Sequence, residues 1–356
     1  MGSLDKGIRC WAARVERNRA EEVRKRLLKL DILNPRLKPF EKNGFIYFPL
    51  KDGEKVDEIL RELNVSVVAA DFEERLKRPK SLEELLSNKL PKELLDLLPS
   101  SYDLIGDIIL VEIPRELKPY ERLVAEALMK LHPRVKTVLS REGATRGAYR
   151  LREYRVIAGL NRFETVHREH GCVIRVDLRK AFFNPRMSGE RVRVARSVSK
   201  GEKVLDMFAG IGSFSIIIAR EQPTATIIAI ELNPEAYKLM LENIKLNRVE
   251  DRVKPILGDC REVLKQIHEK FDRVIMDLPH SSINYLDLAL EKTKQNGIIH
   301  LYLVGVGRDP VEDARERVLK KIRGLGFDVD ILYARRVMEI APRKSTIVLD
   351  LKVRCG

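Results

Sequence analysis

The second half of the chain alternates short apolar runs with longer segments whose apolar residues recur at helical spacing. Apolar runs of this length, bounded by glycine or charged residues, are typical of strands in a parallel sheet. The pattern predicts a strand ending at Leu205, further strands at residues 226–230, 253–257, 271–276, 297–304 and 329–337, a helix at 311–323 and a last edge strand at 345–353. Strands that alternate with helices in this way predict an α/β fold.

A glycine turn follows the first of these strands. The stretch from Lys203 to Gly212 reads KVLDMFAGIG and leads into an apolar run with helical character. Gly210 and Gly212 would let the backbone approach a ligand closely, because neither carries a Cβ atom. The dinucleotide fingerprint G-x-G-x-x-G is incomplete, since Ser215 stands at the third glycine position. An ordinary strand-to-helix turn would also explain two glycines, so the turn alone does not assign a ligand.

Acidic residues stand at the ends of four successive predicted strands: Asp206, Glu231, Asp259 and Asp277. Open α/β sheets bind their ligands beyond the carboxyl ends of the strands. Glu231 comes 25 residues after Asp206 by subtraction of their numbers, close to the spacing of a carboxylate that binds ribose hydroxyls. One acid at such a place could be a helix cap. Four in register predict a nucleotide-like ligand at this edge.

Composition divides the rest of the chain. Residues 1–72 carry their own strand and helix patterns, including a helix at 55–63, and predict a small α/β unit. Residues 73–101 are charged and interrupted by Pro79, Pro91 and Pro99, which predicts a linker with short helices. Residues 102–184 predict a middle α+β domain, and the sheet domain occupies residues 185–356.

The middle part holds the most basic local stretch, SREGATRGAYRLREYRVIAG. Its arginines are candidates for RNA phosphate or base contacts, and a solvated basic hairpin is the alternative; they are Arg141, Arg146, Arg150, Arg152 and Arg155. A strand hairpin that turns at His170-Gly171 is predicted next. A helix then begins, capped by Ser188, with Glu190 in its first turn.

The chain has a formal net charge of +14, which favours a polyanionic partner. Nucleic acid fits better than a membrane, because no apolar run approaches the ~20 residues that span a bilayer. We therefore expect no membrane association and a cytoplasmic location. The cysteines at 10, 172, 260 and 355 lack the spacing of a zinc or iron–sulfur site, so no metal is expected.

Several motifs together resemble one protein family. The turn DMFAGIG is similar to the first motif, D-x-F-x-G-x-G, of class I S-adenosylmethionine (SAM) methyltransferases. The full set resembles the archaeal and eukaryal tRNA methyltransferases that make N1-methylguanosine at position 37, beside the anticodon. That set comprises YRLREYRVIAG, ETVHREHG, FFNPRMSGER, DMFAGIG and the tripeptide Asp277-Leu278-Pro279.

The resemblance implies an architecture and partners. A small N-terminal α/β domain would recognise the tRNA elbow, and a middle α+β domain would help to hold the anticodon loop. A class I (Rossmann-like) methyltransferase domain would follow. SAM is the implied cofactor and tRNA the implied partner, with the protein acting as a monomer without a metal.

The resemblance also implies the residues that carry the chemistry. Guanine N1 must lose a proton before it attacks a methyl group, which requires a base near N1 and a cation near O6. The base maps onto Glu190 and the cation onto Arg150, with Arg152 and Arg155 as alternatives. Asp277 and Pro279 would face the target base. The implied cofactor-binding residues are Phe182, Arg186, Arg191, Asp206, Phe208, Gly210, Gly212, Glu231, Asp259 and Asp277.

One residue departs from the family pattern. Asp277 stands where the family usually has asparagine, and an ionised carboxylate accepts hydrogen bonds without donating any. The departure leaves the target purine open. Two other enzymatic activities stay open on the same fold: transfer of the aminocarboxypropyl group of SAM, and C-methylation, both in wyosine-type base synthesis. A tRNA-binding protein without catalysis is a third alternative.

Overall fold

The computed structural model describes residues 7–51, 63–74, 79–147, 149 and 151–354. The chain divides into two compact units, Met1–Lys80 and Ser81–Gly356. Most of the helix predicted at 55–63 lies outside the described residues. Within the described ranges, no helix combines the length and the apolar character needed to cross a membrane.

The first unit is a small antiparallel sheet with one described helix. Its strands pair in the order β2-β3-β1-β4, and Val23 and Leu27 of helix α1 are buried in its core. The elements are β1 (Ile8–Glu16), α1 (Ala20–Lys29), β2 (Phe40–Lys42), β3 (Phe45–Pro49) and β4 (Ser66–Phe72). The α/β character predicted for this part is confirmed.

The second unit begins with helices that pack on a four-stranded sheet of order β5-β6-β7-β8. The elements are α2 (Leu82–Leu86), α3 (Lys92–Leu95), β5 (Asp103–Ile105), β6 (Ile108–Val111), α4 (Glu121–Leu131), β7 (Thr137–Arg146) and β8 (Leu151–Gly159). Leu82, Leu86 and Leu90 lie in the same buried core as Ile109 and Val138. Part of the stretch predicted as a linker therefore belongs to the core of this unit.

A two-stranded hairpin follows, β9 (Glu164–Glu169) and β10 (Cys172–Asp177). His170 and Gly171 form its turn with φ of +46° and +74°, as the sequence predicts. Asn243 and Asn247, from a later helix, accept hydrogen bonds of 2.7 and 2.9 Å from the backbone N–H groups of Arg175 and Val173. These bonds fix the hairpin to the sheet domain.

The sheet domain is built on seven strands in the order β13-β12-β11-β14-β15-β17-β16. All run parallel except β17, which is antiparallel to both of its neighbours. The elements are α5 (Ser188–Ser197), β11 (Lys203–Asp206), α6 (Ser213–Glu221), β12 (Thr226–Glu231), α7 (Pro234–Leu246), β13 (Val253–Leu257), α8 (Cys260–Lys265), β14 (Phe271–Asp277), α9 (Leu286–Lys292), β15 (Thr293–Val306), α10 (Pro310–Gly324), β16 (Val329–Ala341) and β17 (Lys344–Val353).

Each face of this sheet carries its own core. Ile275, Tyr302 and Val348 point to the face covered by α5, α6 and α7. Met276 and Leu301 point to the opposite face, which α8, α9 and α10 cover. The alternation follows from the two-residue repeat of a strand. It decides which polar residues of the sheet can reach α5.

Two predictions about these elements are wrong. The strand predicted at the edge, β17, lies inside the sheet, because its apolar run is buried on both faces. Ser188 does not cap α5, since its own backbone is helical and its hydroxyl hydrogen-bonds to His170 Nε2 at 2.9 Å. Asn184 caps instead: its Oδ1 accepts from the backbone N–H of Arg186 at 3.0 Å, at the 3-10 turn Pro185–Met187 before the helix.

Candidate active site

The glycine turn between β11 and α6 forms a cradle at the carboxyl edge of the sheet. Gly210 and Gly212 have φ of +57° and +83°, which glycine adopts without strain. A Cβ atom on Gly212 would lie 2.9 Å from Met240 Cγ, so this glycine allows the turn to pack against α7. A Cβ on Gly210 would meet no described atom within 4 Å. The turn is thus closely packed behind Gly212 and open in front of Gly210.

Glu231 ties this turn to the end of β12. Its Oε2 accepts a hydrogen bond of 2.7 Å from the N–H of Gly210, and its Oε1 accepts one of 2.8 Å from the N–H of Asn233. Burial raises the pKa of Glu231, although these backbone donors oppose the rise. Among the described residues, the donors to this carboxylate beside the cradle include the neutral backbone N–H groups of Gly210 and Asn233.

Asp206 is the most deeply buried of the four strand-end acids. It is 1% exposed, and its Oδ2 accepts a hydrogen bond of 2.8 Å from Ser215 Oγ. Its Oδ1 is buried and has no hydrogen-bond partner among the described residues. Burial raises the pKa of Asp206 to about 7, and the negative charges of Asp277 and Glu231 add to the rise. A ligand with donor groups or positive charge would relieve this group.

Asp259 follows the neighbouring strand β13, and Phe208 lies in the turn between β11 and α6. Asp259 Oδ1 accepts a hydrogen bond of 2.8 Å from the N–H of Arg261, so this acid caps α8. The ring of Phe208 meets that of Tyr285 edge to face at 5.1 Å, and the guanidinium of Arg261 lies 3.9 Å from the Tyr285 ring centre. Within the described ranges, no group of three or more His, Cys, Asp and Glu side chains could hold a metal ion.

The loop after β14 is fixed by backbone hydrogen bonds. The carbonyl of Leu278 accepts from the N–H groups of Ser281 and Ser282, and the carbonyl of Pro279 accepts from Val304 at 2.9 Å. Asp277, the last residue of β14, lies beside Tyr302 of β15 in the parallel register. The four acids predicted at strand ends therefore follow four adjacent strands, at one edge of the sheet.

Glu190 lies in the first turn of α5 and is 1% exposed. Its Oε2 accepts hydrogen bonds from Arg193 Nε at 2.9 Å and from Tyr302 Oη at 3.1 Å. Its Oε1 accepts from Arg335, a half-exposed residue of β16. Tyr302, which donates to Glu190, lies beside Asp277 in the strand register. Glu190 is therefore connected to the end of β14 through a single residue, Tyr302.

Tyr302 also connects this acid to the glycine turn. It is fully buried, and its ring lies 5.7 Å from that of Phe214, in the first turn of α6. The same α6 begins directly after Gly212. The predicted base and the predicted cofactor cradle are therefore parts of one packed region, on the face of the sheet that α5 covers.

Three predicted cofactor residues precede or follow Glu190. Phe182 is 56% exposed, so its ring is accessible to a ligand. Arg186 pairs through Nε with Asp103 at 2.6 Å. Arg191 is 2% exposed, and its fork donates to both oxygens of Glu169 at 2.6 and 2.9 Å and to the carbonyl of Asn184. The donors of Arg191 are thus engaged inside the protein, and we do not retain it as a cofactor residue.

The arginines of β8 separate onto two faces. Arg155 donates two hydrogen bonds of 2.7 Å to Glu121 of α4 and one of 3.2 Å to Glu142. Arg152 lies on the other face, with Tyr154, which packs against the core that includes α5. Of the two alternatives, Arg152 is therefore on the side of the sheet domain. Arg150, the arginine predicted at O6, lies outside the described residues.

Sequence reasoning missed the residues that surround Glu190. Arg193 lies one turn further along α5, at the i,i+3 spacing from Glu190. Tyr302 and Arg335, in contrast, come from strands that are distant in sequence, so no local pattern joins the three. One signal was available: His300 and Asp350 interrupt the apolar runs at 298–304 and 347–351. Charged or polar residues rarely lie buried without a partner, so two such interruptions in central strands predict a pair.

Comparisons with known proteins cover most of the chain. The TRM5/TYW2 methyltransferase domain matches residues 165–331, the TYW2 N-terminal domain residues 82–162, and the tRNA methyltransferase 5 N-terminal domain residues 12–64. The chain is 38% identical to tRNA (guanine(37)-N(1))-methyltransferase Trm5b of Pyrococcus abyssi, over 96% of this chain and 98% of that protein. It is 36% identical to the tRNA(Phe) (4-demethylwyosine(37)-C(7)) aminocarboxypropyltransferase of Pyrococcus horikoshii, over 76% of this chain and 96% of that one.

Solved structures of similar proteins support the same assignment. The crystal structure of P. abyssi Trm5b has a TM-score of 0.71 and covers 97% of this chain and 100% of its own. A structure described as the complex of aTrm5 and tRNALeu has a TM-score of 0.69 at 34% identity, and covers 96% of this chain and 99% of its own. The predicted fold is confirmed, and the predicted family with it. The chain belongs to the TRM5/TYW2 family of methyltransferases.

Proposed function

We propose that this chain transfers the methyl group of SAM to N1 of guanosine-37 in tRNA. The observation that carries the proposal is the position of Glu190, a buried carboxylate next to the end of β14 and packed through Tyr302 against the helix of the glycine turn. Similarity along nearly the whole chain to a protein named for this reaction supports it. So does a similar structure described as a complex with tRNALeu.

The residues of the cradle fit SAM. Open space in front of Gly210 allows close approach, and Glu231 is placed to accept hydrogen bonds from ribose hydroxyls. Asp259 would accept from the adenine amino group, and Phe208 would line the methionine side. Asp206, with a buried oxygen that lacks a described donor, favours a ligand that carries positive charge. SAM, when bound, supplies an electrophilic methyl group on a sulfonium.

Glu190 would act on the nucleobase as a general base. The N1–H bond of guanine breaks as its proton moves to the carboxylate, and the N1 electron pair becomes available to the methyl group. Negative charge collects on O6, where Arg150 would stabilise it. Asp277 would accept from the exocyclic amino group, and Pro279 would hold the loop that faces the base. Arg186, half exposed beside Asp103, is the candidate partner for the cofactor carboxylate.

Among the described partners of Glu190, Arg335 is the most exposed. Tyr302 is fully buried and the Arg193 side chain is 25% exposed, whereas the Arg335 side chain is 48% exposed. We propose that the incoming base replaces Arg335 at Oε1: the half-exposed arginine returns to solvent, and the N–H of the base takes its place on a carboxylate that Arg193 and Tyr302 still hold. The base must also leave its stack, which costs a few kcal/mol and least for an exposed anticodon-loop nucleotide.

The rest of the chain would bind the tRNA. We propose that residues 1–72 contact the elbow, that residues 102–184 hold the anticodon loop, and that residues 73–101 connect the two. The catalytic domain would be residues 185–356. The excess of basic residues provides the attraction for an RNA backbone. A monomeric state and a cytoplasmic location stay predictions.

A second candidate is aminocarboxypropyl transfer to a wyosine precursor, favoured by 36% identity to an enzyme named for that reaction. The experiment that separates the two uses SAM labelled either on the methyl carbon or on the aminocarboxypropyl chain. We expect mass spectrometry of nucleosides from a guanosine-37 tRNA to show methyl label on N1-methylguanosine. Label from the aminocarboxypropyl group of SAM on the tRNA would contradict the proposal. An inosine-37 transcript tests whether Asp277 requires the guanine amino group.

A further inference from the structure

A line of buried charged and polar groups runs away from Glu190 through the interior of the sheet domain. Its links are Glu190 to Arg193 Nε at 2.9 Å, Arg193 Nη1 to Asp350 at 2.6 Å, Asp350 to His300 Nδ1 at 2.6 Å, His300 Nε2 to Arg273 Nη1 at 2.7 Å, and Arg273 Nε to Glu202 at 2.8 Å. Glu190, His300 and Arg273 are 1–2% exposed, and Asp350 is 7% exposed. We call these six residues the charge line.

Sheet geometry explains why these residues meet. His300 of β15 lies directly opposite Asp350 of β17 and beside Ile275 of β14 in the strand registers. Arg273 precedes Ile275 by two positions, and Tyr302 follows His300 by two. All therefore point to the face that α5 covers. From α5, Arg193 reaches down to this face with its guanidinium 4.6 Å from the ring centre of Tyr333.

The hydrogen-bond directions along the line are determined by chemistry. Arginine only donates, so His300 Nε2 must accept from Arg273. The hydrogen of a neutral imidazole then resides on Nδ1 and is donated to Asp350. Burial lowers the pKa of His300, which agrees with a neutral ring. Although burial opposes it, donation from His300 and Arg193 lowers the pKa of Asp350 to about 2.

Buried charged groups of this kind contribute little net stability to a fold. Desolvation of buried charges offsets most of their attraction, and apolar residues of similar volume often stabilise a core as well or better. What the line does achieve is orientation. Asp350 accepts from both Nη1 and Nη2 of Arg193, at 2.6 and 3.2 Å, which leaves Nε directed at Glu190.

We propose that His300 and Asp350 are positioning residues for Glu190: they fix Arg193 in the orientation that places the Glu190 carboxylate for proton abstraction. Neither residue touches the proposed substrate or cofactor. The inference rests on the proposed role of Glu190. It goes beyond that role by assigning a task to side chains on two central strands that lie behind α5.

The test uses two substitutions of nearly equal size. His300→Leu removes the donor to Asp350, whereas His300→Asn keeps a side-chain N–H near the position of Nδ1. At a temperature well below the measured Tm of each variant, His300→Leu should lower kcat by up to about 100-fold with unchanged KM for SAM and tRNA. His300→Asn should retain most of the wild-type kcat, and Asp350→Asn should resemble His300→Leu.

Asp272→Asn is the control for Asp350→Asn. Asp272 stands near the start of β14, where its Oδ2 accepts a hydrogen bond of 2.9 Å from the backbone N–H of Lys203 and its Oδ1 accepts one of 2.8 Å from Lys294. This Asp-to-Asn change also alters a paired carboxylate of the sheet, and it should leave kcat unchanged. Equal kcat in His300→Leu and the wild type would overturn the inference. Equal losses in His300→Leu and His300→Asn would also overturn it, since ring packing would then explain both.

Crystal structures of the variants give a readout that needs no activity. Arg193 Nε should move away from Glu190 in His300→Leu and stay in contact in His300→Asn. An unchanged contact in His300→Leu would refute the inference whatever the rates. Failure of the wild type to form N1-methylguanosine would instead refute the proposed function. The crystal structures would then decide the positioning role alone.

Discussion

The candidate site has two halves, the glycine turn and the surroundings of Glu190, and their carboxylates have different kinds of hydrogen-bond donor. At the glycine turn, Asp206 and Glu231 are held by a hydroxyl and by backbone N–H groups, and burial raises the pKa of both. On the side of Glu190, arginines donate to three carboxylates: Glu190 itself, Glu169 and Asp350. Glu169 and Asp350, although buried, each have a pKa lowered to about 2 by such donors and by histidine.

The difference indicates what each half is for. A pocket whose carboxylates lack strong donors is completed by a ligand that brings hydroxyl groups, amino groups or positive charge, as SAM does. A pocket whose carboxylates already have arginine partners gains little from such a ligand. It holds an acid in one place, ready for a substrate that brings a proton. The predictions below test this division.

The largest effect is expected where an internal pair is broken. Arg191→Met should lower the free energy of unfolding by about 3–5 kcal/mol, because Glu169 stays buried without its fork of donors. Denaturant unfolding measures it. Arg155→Met, in a pair whose arginine is 46% exposed, should cost about 1 kcal/mol or less. If Arg191→Met kept its stability and lost SAM affinity, the cofactor role first predicted for Arg191 would be right.

The next effect concerns the cation at O6. Arg150→Met should lower single-turnover methyl transfer by about 10²–10³-fold, the usual loss when one donor to a developing oxyanion is removed. Arg155→Met should transfer at the wild-type rate, because its guanidinium is bound to Glu121 on the far face of β8. Loss in Arg152→Met with normal transfer in Arg150→Met would reassign the role to Arg152.

The smallest effect is a difference in pH dependence. The folded pKa of Asp206, about 7 against 3.8 ordinarily, means that its contribution to stability is present at low pH and lost as pH rises towards 7. The lowered pKa of His300 has the opposite sign, since its contribution is lost as pH falls below about 6.5.

Asp206→Asn should therefore reduce the decline of the unfolding free energy with rising pH between about 4 and 7, by up to a few kcal/mol. His300→Asn should reduce the decline on acidification below about pH 6.5, by at most about 1.4 kcal/mol per pH unit. Denaturant unfolding across this range measures both. For each variant, the quantity to compare is the change in the pH slope of the unfolding free energy relative to the wild type. Changes of the same sign in the two variants would contradict the contrast between the two halves of the site.

Local pattern was sufficient for much of the fold. The apolar runs and their terminal acids located β11 to β14, and the His170-Gly171 turn located the hairpin, because strand ends and tight turns are set by neighbouring residues. The order of the strands in the sheet, in contrast, is not set by neighbouring residues. Nothing near Lys344–Val353 records that β17 inserts between β15 and β16, so the strand was predicted at the edge.

The candidate site divides in the same way. Gly210, Glu231 and Asp277 belong to motifs that are continuous in sequence, and the structure brings them to one edge. The partners of Glu190 come from the next turn of α5 and from β15 and β16, more than 100 residues away for Tyr302 and Arg335 by their numbers. Only the sheet register brings such residues together, and a single sequence does not contain that register.

The most direct test of the account is the rate of methyl transfer in Glu190→Gln. Glutamine keeps the size of the side chain and can still accept from Arg193 and Tyr302, but it cannot take up the N1 proton. With SAM and a guanosine-37 tRNA both saturating, single-turnover transfer should fall by about 10²–10⁴-fold while the affinities for both stay unchanged. Transfer at the wild-type rate would contradict the account.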